Sequence, residues 1–208
     1  MRIAVVGAGS VGSALGFGWD QRGHDVVFAV RDLGSPSASE AAARGGQLAA
    51  LGEAAEADVI VLAVPWTAMG QTLEALGDLS GKIVVDATNP VSPPFAGLDV
   101  AGGDSGGEVV QRKLPGARVV KAFNQTGWQN MAEATRFPDG QRSVMFVAGD
   151  DADAKATVLG LAGDLGFEGV DAGPLAMSRH LEPLAMLWIL LANAQGMGQR
   201  FAFSLVHR

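Results

Sequence analysis

The chain has 208 residues, 48% of them hydrophobic, with 29 glycines, no cysteine, no tyrosine and a formal net charge of −7 at pH 7. That length can bury a substantial core as one domain or one and a half, and an acidic balance without any basic run speaks against general nucleic-acid binding. The lack of cysteine excludes disulfides, thiolate catalysis and cysteine metal sites, and the lack of tyrosine excludes a Tyr-Lys proton relay.

The first twelve residues read MRIAVVGAGSVG. Residues 3–6 form a short apolar run suited to a strand buried on both faces, Gly7-x-Gly9-x-x-Gly12 follows without a gap, and residues 10–22 have helical character up to Gly23. In such a strand, turn and helix unit Gly7 permits the tight turn, Gly9 lets a pyrophosphate approach the backbone, and Gly12 lets the helix pack closely on the strand. Gly7, Ala8, Gly9, Ser10, Val11 and Gly12 are therefore expected to bind a dinucleotide. Residues 25–30 (DVVFAV) supply the second strand of the unit.

The end of that second strand selects the cofactor. An NAD site places an acidic residue there to accept hydrogen bonds from the ribose hydroxyls, whereas this chain has apolar Val30 followed by cationic Arg31. Arg31 suits a 2′-phosphate, which favours NADP, while Asp32 one residue later would suit NAD.

Beyond it, residues 33–39 (LGSPSAS) read as a turn-rich connection, and residues 40–44 and 53–57 as short helices. Residues 58–64 (DVIVLAV) read as a buried strand ending at Pro65-Trp66, residues 67–76 as an amphipathic helix closed by Gly77, and residues 82–86 (KIVVD) as a strand stopping at Ala87-Thr88-Asn89-Pro90. Residues 91–107 carry little pattern until Ser105-x-x-Glu108, a capping box that opens a helix through Leu114. Residues 117–123 (ARVVKAF), 143–148 and 167–170 read as strands, with a helix starting at Asp151, and one very apolar helical segment runs from about residue 176 to the end. Strand alternating with helix predicts a Rossmann-type, doubly wound, mainly parallel α/β sheet with a C-terminal helical segment. The expected division is an NADP-binding Rossmann domain over residues 1–150 and a small extension over 151–208 that completes the substrate cleft and offers a dimer interface. The longest unbroken apolar run is residues 184–192, short of a membrane span, and the first strand starts at residue 2; a cytoplasmic protein is expected.

In such a sheet, ligands lie beyond the carboxyl ends of the strands. The glycine turn, Val30-Arg31, Val64-Pro65-Trp66, Thr88-Asn89-Pro90 and Phe123-Asn124 all fall there. Trp66 reads equally well as a half-buried core residue. There are four lysines, none beyond Lys155, which disfavours a dehydrogenase with a lysine acid on a helical domain; Lys121 reads as a strand-end surface lysine. His24 sits in a turn, His207 lies at the terminus, and His180, beside Arg179 and Glu182 at the start of the last helix, is the better candidate for a ligand contact. No acid/base pair declares itself, and no catalytic residue or metal site is assigned. Hydride transfer between a nicotinamide and a flavin-like ring needs chiefly the alignment of two planar rings, and it fits that lack. Trp66, Phe123, Asn124 and Trp128 are the expected substrate-side residues, with Met186 and Trp188 of the last helix nearby.

The segments GAGSVG, FAVRD at 28–32, LAVPW at 62–66, DATNP at 86–90, VVKAFNQTG at 119–127 and DAGPL followed by LEPLAMLWI resemble the dinucleotide-binding proteins related to NADPH-dependent reductases of the deazaflavin coenzyme F420. The resemblance spans essentially the whole chain. It implies an oxidoreductase with NADP(H) held by Gly7 to Gly12 and Arg31, with Val64, Pro65, Asn89 and Pro90 near the nicotinamide half and a deazaflavin acceptor against it. It also implies a homodimer, with small molecules rather than nucleic acid or membrane as partners. Deazaflavin reductases carry Ser or Thr beside the arginine where this chain has Val30. Free flavin, another small acceptor, or dinucleotide sensing without turnover are the alternatives that the residues leave open.

Overall fold

The computed structural model describes residues 1–206 apart from 92, 94–96, 101–102, 133–136 and 138–139. His207 therefore lies outside the described residues. Eight strands, β1 (Arg2–Val6), β2 (Asp25–Val30), β3 (Gln47–Ala50), β4 (Val59–Leu62), β5 (Ile83–Asp86), β6 (Arg118–Lys121), β7 (Val144–Gly149) and β8 (Glu168–Gly173), form one sheet in the order β3-β2-β1-β4-β5-β6-β7-β8. The first six are parallel; β7 runs antiparallel to β6, and β8 parallel to β7.

Strand β4 is apolar at every position, and β1 after Arg2, because both faces are covered. Alternation sends Ile3, Val5, Val59 and Val61 into one core and Ala4, Val6, Ile60 and Leu62 into the other. The first core lies under α1 (Ser10–Asp20) and α6 (Ala152–Asp164); the second lies under α3 (Met69–Leu76) and α4 (Gly106–Lys113). Trp19 anchors the first. It is fully buried, its indole Nε1 donates to the Leu161 carbonyl at 3.0 Å, and it meets Phe123 edge-on at 5.4 Å.

Several boundaries differ from the sequence reading. Helix α2 (Pro36–Ala43) begins inside the supposed connection, because Ser35 caps it and Pro36 occupies the first turn. Residues 51–56 and 66–68 are 3-10 turns rather than α-helix, and α5 (Trp128–Ala132) and β3 had no clear signal. Helix α4 starts at the predicted capping box: Ser105 Oγ accepts from Glu108 N and donates to the Glu108 carboxylate.

The last helix, α7 (Ser178–Asn193), stops well before the end. The segment after it runs in irregular conformation back to the start of β7. The Phe203 carbonyl accepts from Val144 N at 2.9 Å, and the Phe201 carbonyl accepts from Trp188 Nε1 at 2.9 Å and from Asn130 Nδ2 at 2.6 Å. The Phe201 ring stacks on Trp188 at 5.2 Å, so this strap joins α5, α7 and β7.

Candidate functional site

The glycine turn between β1 and α1 is constrained differently at each of its three glycines. Gly7 has φ +104°, and a Cβ there would stand 2.7 Å from the Ala63 carbonyl oxygen of the neighbouring strand connection. At Gly12 a Cβ would run directly onto the Gly7 carbonyl oxygen. Gly9 is unlike both: its backbone is extended, and among the described residues nothing beyond its chain neighbours lies within 4 Å of a Cβ built there. The first turn of α1 carries no side-chain cap, so its leading amides are left for a ligand.

Three cavities open on this turn, and two of them adjoin. One, of about 370 Å³, is lined by Gly7, Gly9, Val30, Arg31, Ser35 and Pro65 among others. The second, of about 430 Å³, is lined by Gly9, Ser10, Val11, Val64, Pro65, Trp66, Thr88 and Asn89. They share Gly9, Ala63, Val64 and Pro65 and so form one groove across the carboxyl ends of β1 and β4, where the strand order reverses. The Asp32 carboxylate accepts from the backbone N–H of Gly34 at 2.9 Å, closing its own turn, whereas the Arg31 side chain is exposed beside Ser35 and Ser37.

Most predicted residues converge on this groove; five do not line it, the first being Gly12, which packs against the Gly7 carbonyl instead. Pro90 is buried beside Gly106, 3.3 Å from where a Cβ would be. Phe123 corrects the expectation of a pocket aromatic. Its backbone takes φ +59°, which turns the ring away into the core between Trp19 and Phe167, fully buried. A non-glycine residue with positive φ is held there only by its surroundings, here that aromatic packing. Asn124 sits behind the groove: Asn89 Nδ2 donates to its carbonyl at 2.8 Å, and its own Nδ2 donates to Asn89 Oδ1 at 3.0 Å. Trp128 is partly exposed in a separate cavity of about 280 Å³ on the other side of Gly9, with Ser37, Glu40 and Arg44.

A charged cluster behind the groove was not legible as a site. Lys121, expected at the surface, is completely buried; its ammonium donates to Asp86 Oδ2 at 2.9 Å and the Thr88 carbonyl at 2.7 Å, and lies 2.8 Å from Glu182 Oε1. Asp86 Oδ1 accepts from Thr88 N and Oγ1, and Glu182 accepts from the amides of Gly106 and Gly107 that open α4. Burial alone would pull the Lys121 pKa down, but Asp86 and Glu182 outweigh it and leave it above the ordinary lysine value. The ammonium therefore stays charged across the neutral range. The signal was present, scattered: a lone charge inside each of the apolar runs IVVDA, VVKAF and HLEPLA needs a partner when buried.

Next to this cluster, Arg179 of α7 forms a two-pronged contact with Glu108 of α4, at 2.8 and 2.7 Å, and Arg112 pairs with Asp104. His180, by contrast, is exposed. The Arg179 guanidinium holds the Glu108 carboxyl below its ordinary 4.5, despite partial burial, with Ser105 assisting. A carboxyl with a lowered folded-state pKa stabilises above its unfolded value and loses that contribution as pH falls through the folded one. The melting-temperature difference between wild type and Arg179→Ala is therefore expected to be constant above about pH 5 and to shrink below it. A difference that grows on acidification would contradict the assignment.

Comparison with known proteins agrees with this geometry. Residues 2–90 match the family model described as NADP oxidoreductase, coenzyme F420-dependent. The F420-dependent NADP reductase of Methanothermobacter thermautotrophicus is 31% identical over 92% of this chain and 89% of its own length. The metalloreductase STEAP3 of Rattus norvegicus is 36% identical over 52% of this chain, which covers only 21% of that protein. A crystal structure of a candidate F420-dependent NADP-reductase from Arthrobacter sp. FB24 superposes with TM-score 0.89 at 33% identity over all of both chains. A reductive aminase from Aspergillus terreus, at 21% identity and TM-score 0.67 over 62% of its length, shares the fold. This chain belongs to the coenzyme F420-dependent NADP oxidoreductase family.

Proposed function

We propose that the protein transfers hydride between NADP(H) and a deazaflavin of the coenzyme F420 type. The observation that carries this is the groove itself, whose two cavities meet at Gly9. The residues fit a dinucleotide. The uncapped α1 amides and the empty space at Gly9 suit a pyrophosphate, and Arg31 with Ser35 and Ser37 suits a 2′-phosphate, the two serines supplying hydroxyls where Val30 cannot. Asp32 lines the same cavity with its Oδ1 engaged by Gly34 N, so it is the Arg31 guanidinium that supports NADP over NAD. Val64, Pro65, Trp66 and Asn89 would bracket the nicotinamide and the acceptor ring; Pro90 and Asn124 support Asn89 from behind.

Bound NADPH supplies the hydride; the chain's part is to orient two rings in an apolar groove. Residues 151–208 back that groove through Glu182, consistent with an extension that completes it. The exposed Leu187 and Leu190 of α7 suit a homodimer interface, which a monomeric mass by light scattering would remove. The stretch Leu175–Asn193 is long and apolar enough to cross a membrane by length and composition alone, with 44% of its 18-residue window buried; the ion pairs of Glu182 with Lys121 and of Arg179 with Glu108 suit a helix packed within a cytoplasmic enzyme.

The test is NADPH oxidation by purified protein with deazaflavin coenzyme and with free flavin mononucleotide as separate acceptors, and NADH as control. Turnover with the deazaflavin supports the reading, turnover with flavin alone reassigns the acceptor, and tight NADPH binding without turnover on either indicates a sensor. Arg31→Ala is expected to weaken NADPH binding by roughly 10- to 100-fold, the worth of one or two hydrogen bonds to a charged group, with little change for NADH. Equal losses for both nucleotides would remove Arg31 from the 2′-phosphate.

A further inference from the structure

We propose that Lys121, which does not itself line the groove, is a positioning residue for hydride transfer: its ammonium holds both walls of the nicotinamide end in place. This deepens the hydride-transfer reading above and depends on it for its kinetic consequence.

All three ammonium hydrogens have acceptors, on Asp86, Thr88 and Glu182. From there two chains of direct contact run to the groove. In the first, Thr88 is held at three atoms, its carbonyl by Lys121 and its N–H and hydroxyl by Asp86 Oδ1. Asn89, the next residue, lines the groove and is locked by its reciprocal pair with Asn124. In the second, Glu182 binds the Gly106 and Gly107 amides. A Cβ on Gly106 would lie 3.3 Å from both the Trp66 ring and Pro90, so Trp66 rests on backbone that Glu182 fixes. One cation thus sets the backbone under Asn89 and, through one carboxylate, the support of Trp66. Burying three charges is costly when apolar side chains of similar volume would fill the same space, and a gain in positional definition accounts for their retention here. Because Lys121 is sealed from the groove, it cannot donate a proton to a bound ring; its contribution is geometric.

Two variants separate positioning from folding. Lys121→Met keeps the aliphatic stem and removes the donors. The triple variant Asp86→Asn, Lys121→Met, Glu182→Gln removes all three buried charges together, so that no carboxylate is left unpaired. Each is measured for melting temperature, NADPH affinity, the fluorescence enhancement of bound NADPH, and single-turnover hydride transfer from 4-deuterated and unlabelled NADPH. In the triple variant, NADPH affinity is expected to stay within about threefold of wild type, because the adenosine half is untouched. Hydride transfer is expected to slow at least roughly tenfold with a full isotope effect, and the fluorescence enhancement to fall by about half. A triple variant that melts, binds and transfers hydride like wild type overturns the proposal. Loss of affinity, fluorescence and melting temperature in parallel in both variants overturns it as well, since that is the signature of a structural lysine. Should wild type turn over neither acceptor, the hydride-transfer reading fails by itself. The acceptor-free fluorescence then decides on Lys121, and an enhancement unchanged in both variants overturns its role.

Discussion

Gly12→Ala is expected to abolish measurable NADPH binding and to destabilise the fold, whereas Gly9→Ala abolishes binding alone. The Cβ of an alanine at 12 would land on the Gly7 carbonyl oxygen and come 3.3 Å from Val5 Cγ1. Gly7 cannot yield, because its N–H donates to the Ala29 carbonyl at 3.0 Å and its own conformation is left-handed. Helix α1 must then lift from β1, at about 1–3 kcal/mol for overpacking of this kind. Its first-turn amides move with it, away from where a phosphate would sit. At position 9 the backbone is one any residue adopts and the space is open, so the alanine folds at wild-type stability. The only thing it can obstruct is a ligand pressed against the backbone. A fluorescence titration with NADPH beside a thermal melt reads both effects. Normal NADPH affinity in Gly9→Ala would show that no pyrophosphate approaches there.

Glu182→Leu is expected to be among the most destabilising single changes in the chain. It strips Lys121 of one of two counter-charges and leaves the buried amides of Gly106 and Gly107 without an acceptor, while the leucine fills the space. Removing one member of a buried ionic cluster costs about 3–5 kcal/mol, a large part of the 5–15 kcal/mol typical of a domain. At about 2–4 °C per kcal/mol for a chain of this size, the midpoint should fall by roughly 10 °C. Glu182→Gln retains one acceptor and should lose clearly less. Equal melting of wild type and Glu182→Leu would mean that α4 and α7 are held by their apolar contacts alone.

The parts of this fold that were readable in advance are those fixed by local physics. The β1, glycine turn and α1 unit, β2, the apolar strands β4 to β6 and the Ser105 cap each carry their cause within a dozen residues. Strand β3, QLAA, was hidden because an edge strand half covered on one side needs little β-branched or aromatic sequence. The reversal of β7 left no mark either, since a strand's direction depends on its connection and not on its residues. The groove was legible as a set of post-strand segments, but orientation was not: Phe123 and Trp66 both follow strand ends, and only the left-handed turn at 123 sends one ring inward. The Asp86, Lys121, Glu182 cluster joins positions 35 and 61 residues apart, beyond the reach of any spacing rule.

The strap after α7 bears on how the protein is made. Trp188 Nε1 finds its acceptor on the carbonyl of Phe201, which Asn130 uses as well as Thr126 Oγ1, and β7 bonds the strap at Phe203. A ribosome delivers the chain from the N-terminus, so the whole sheet can assemble before these acceptors exist. Until then the indole of Trp188 lacks both its stacking partner and its hydrogen bond. Biosynthesis thus leaves an aromatic, adhesive surface open until residues 201–203 have been made, and chaperone dependence in the cell should concentrate on that interval rather than on the nucleotide-binding half.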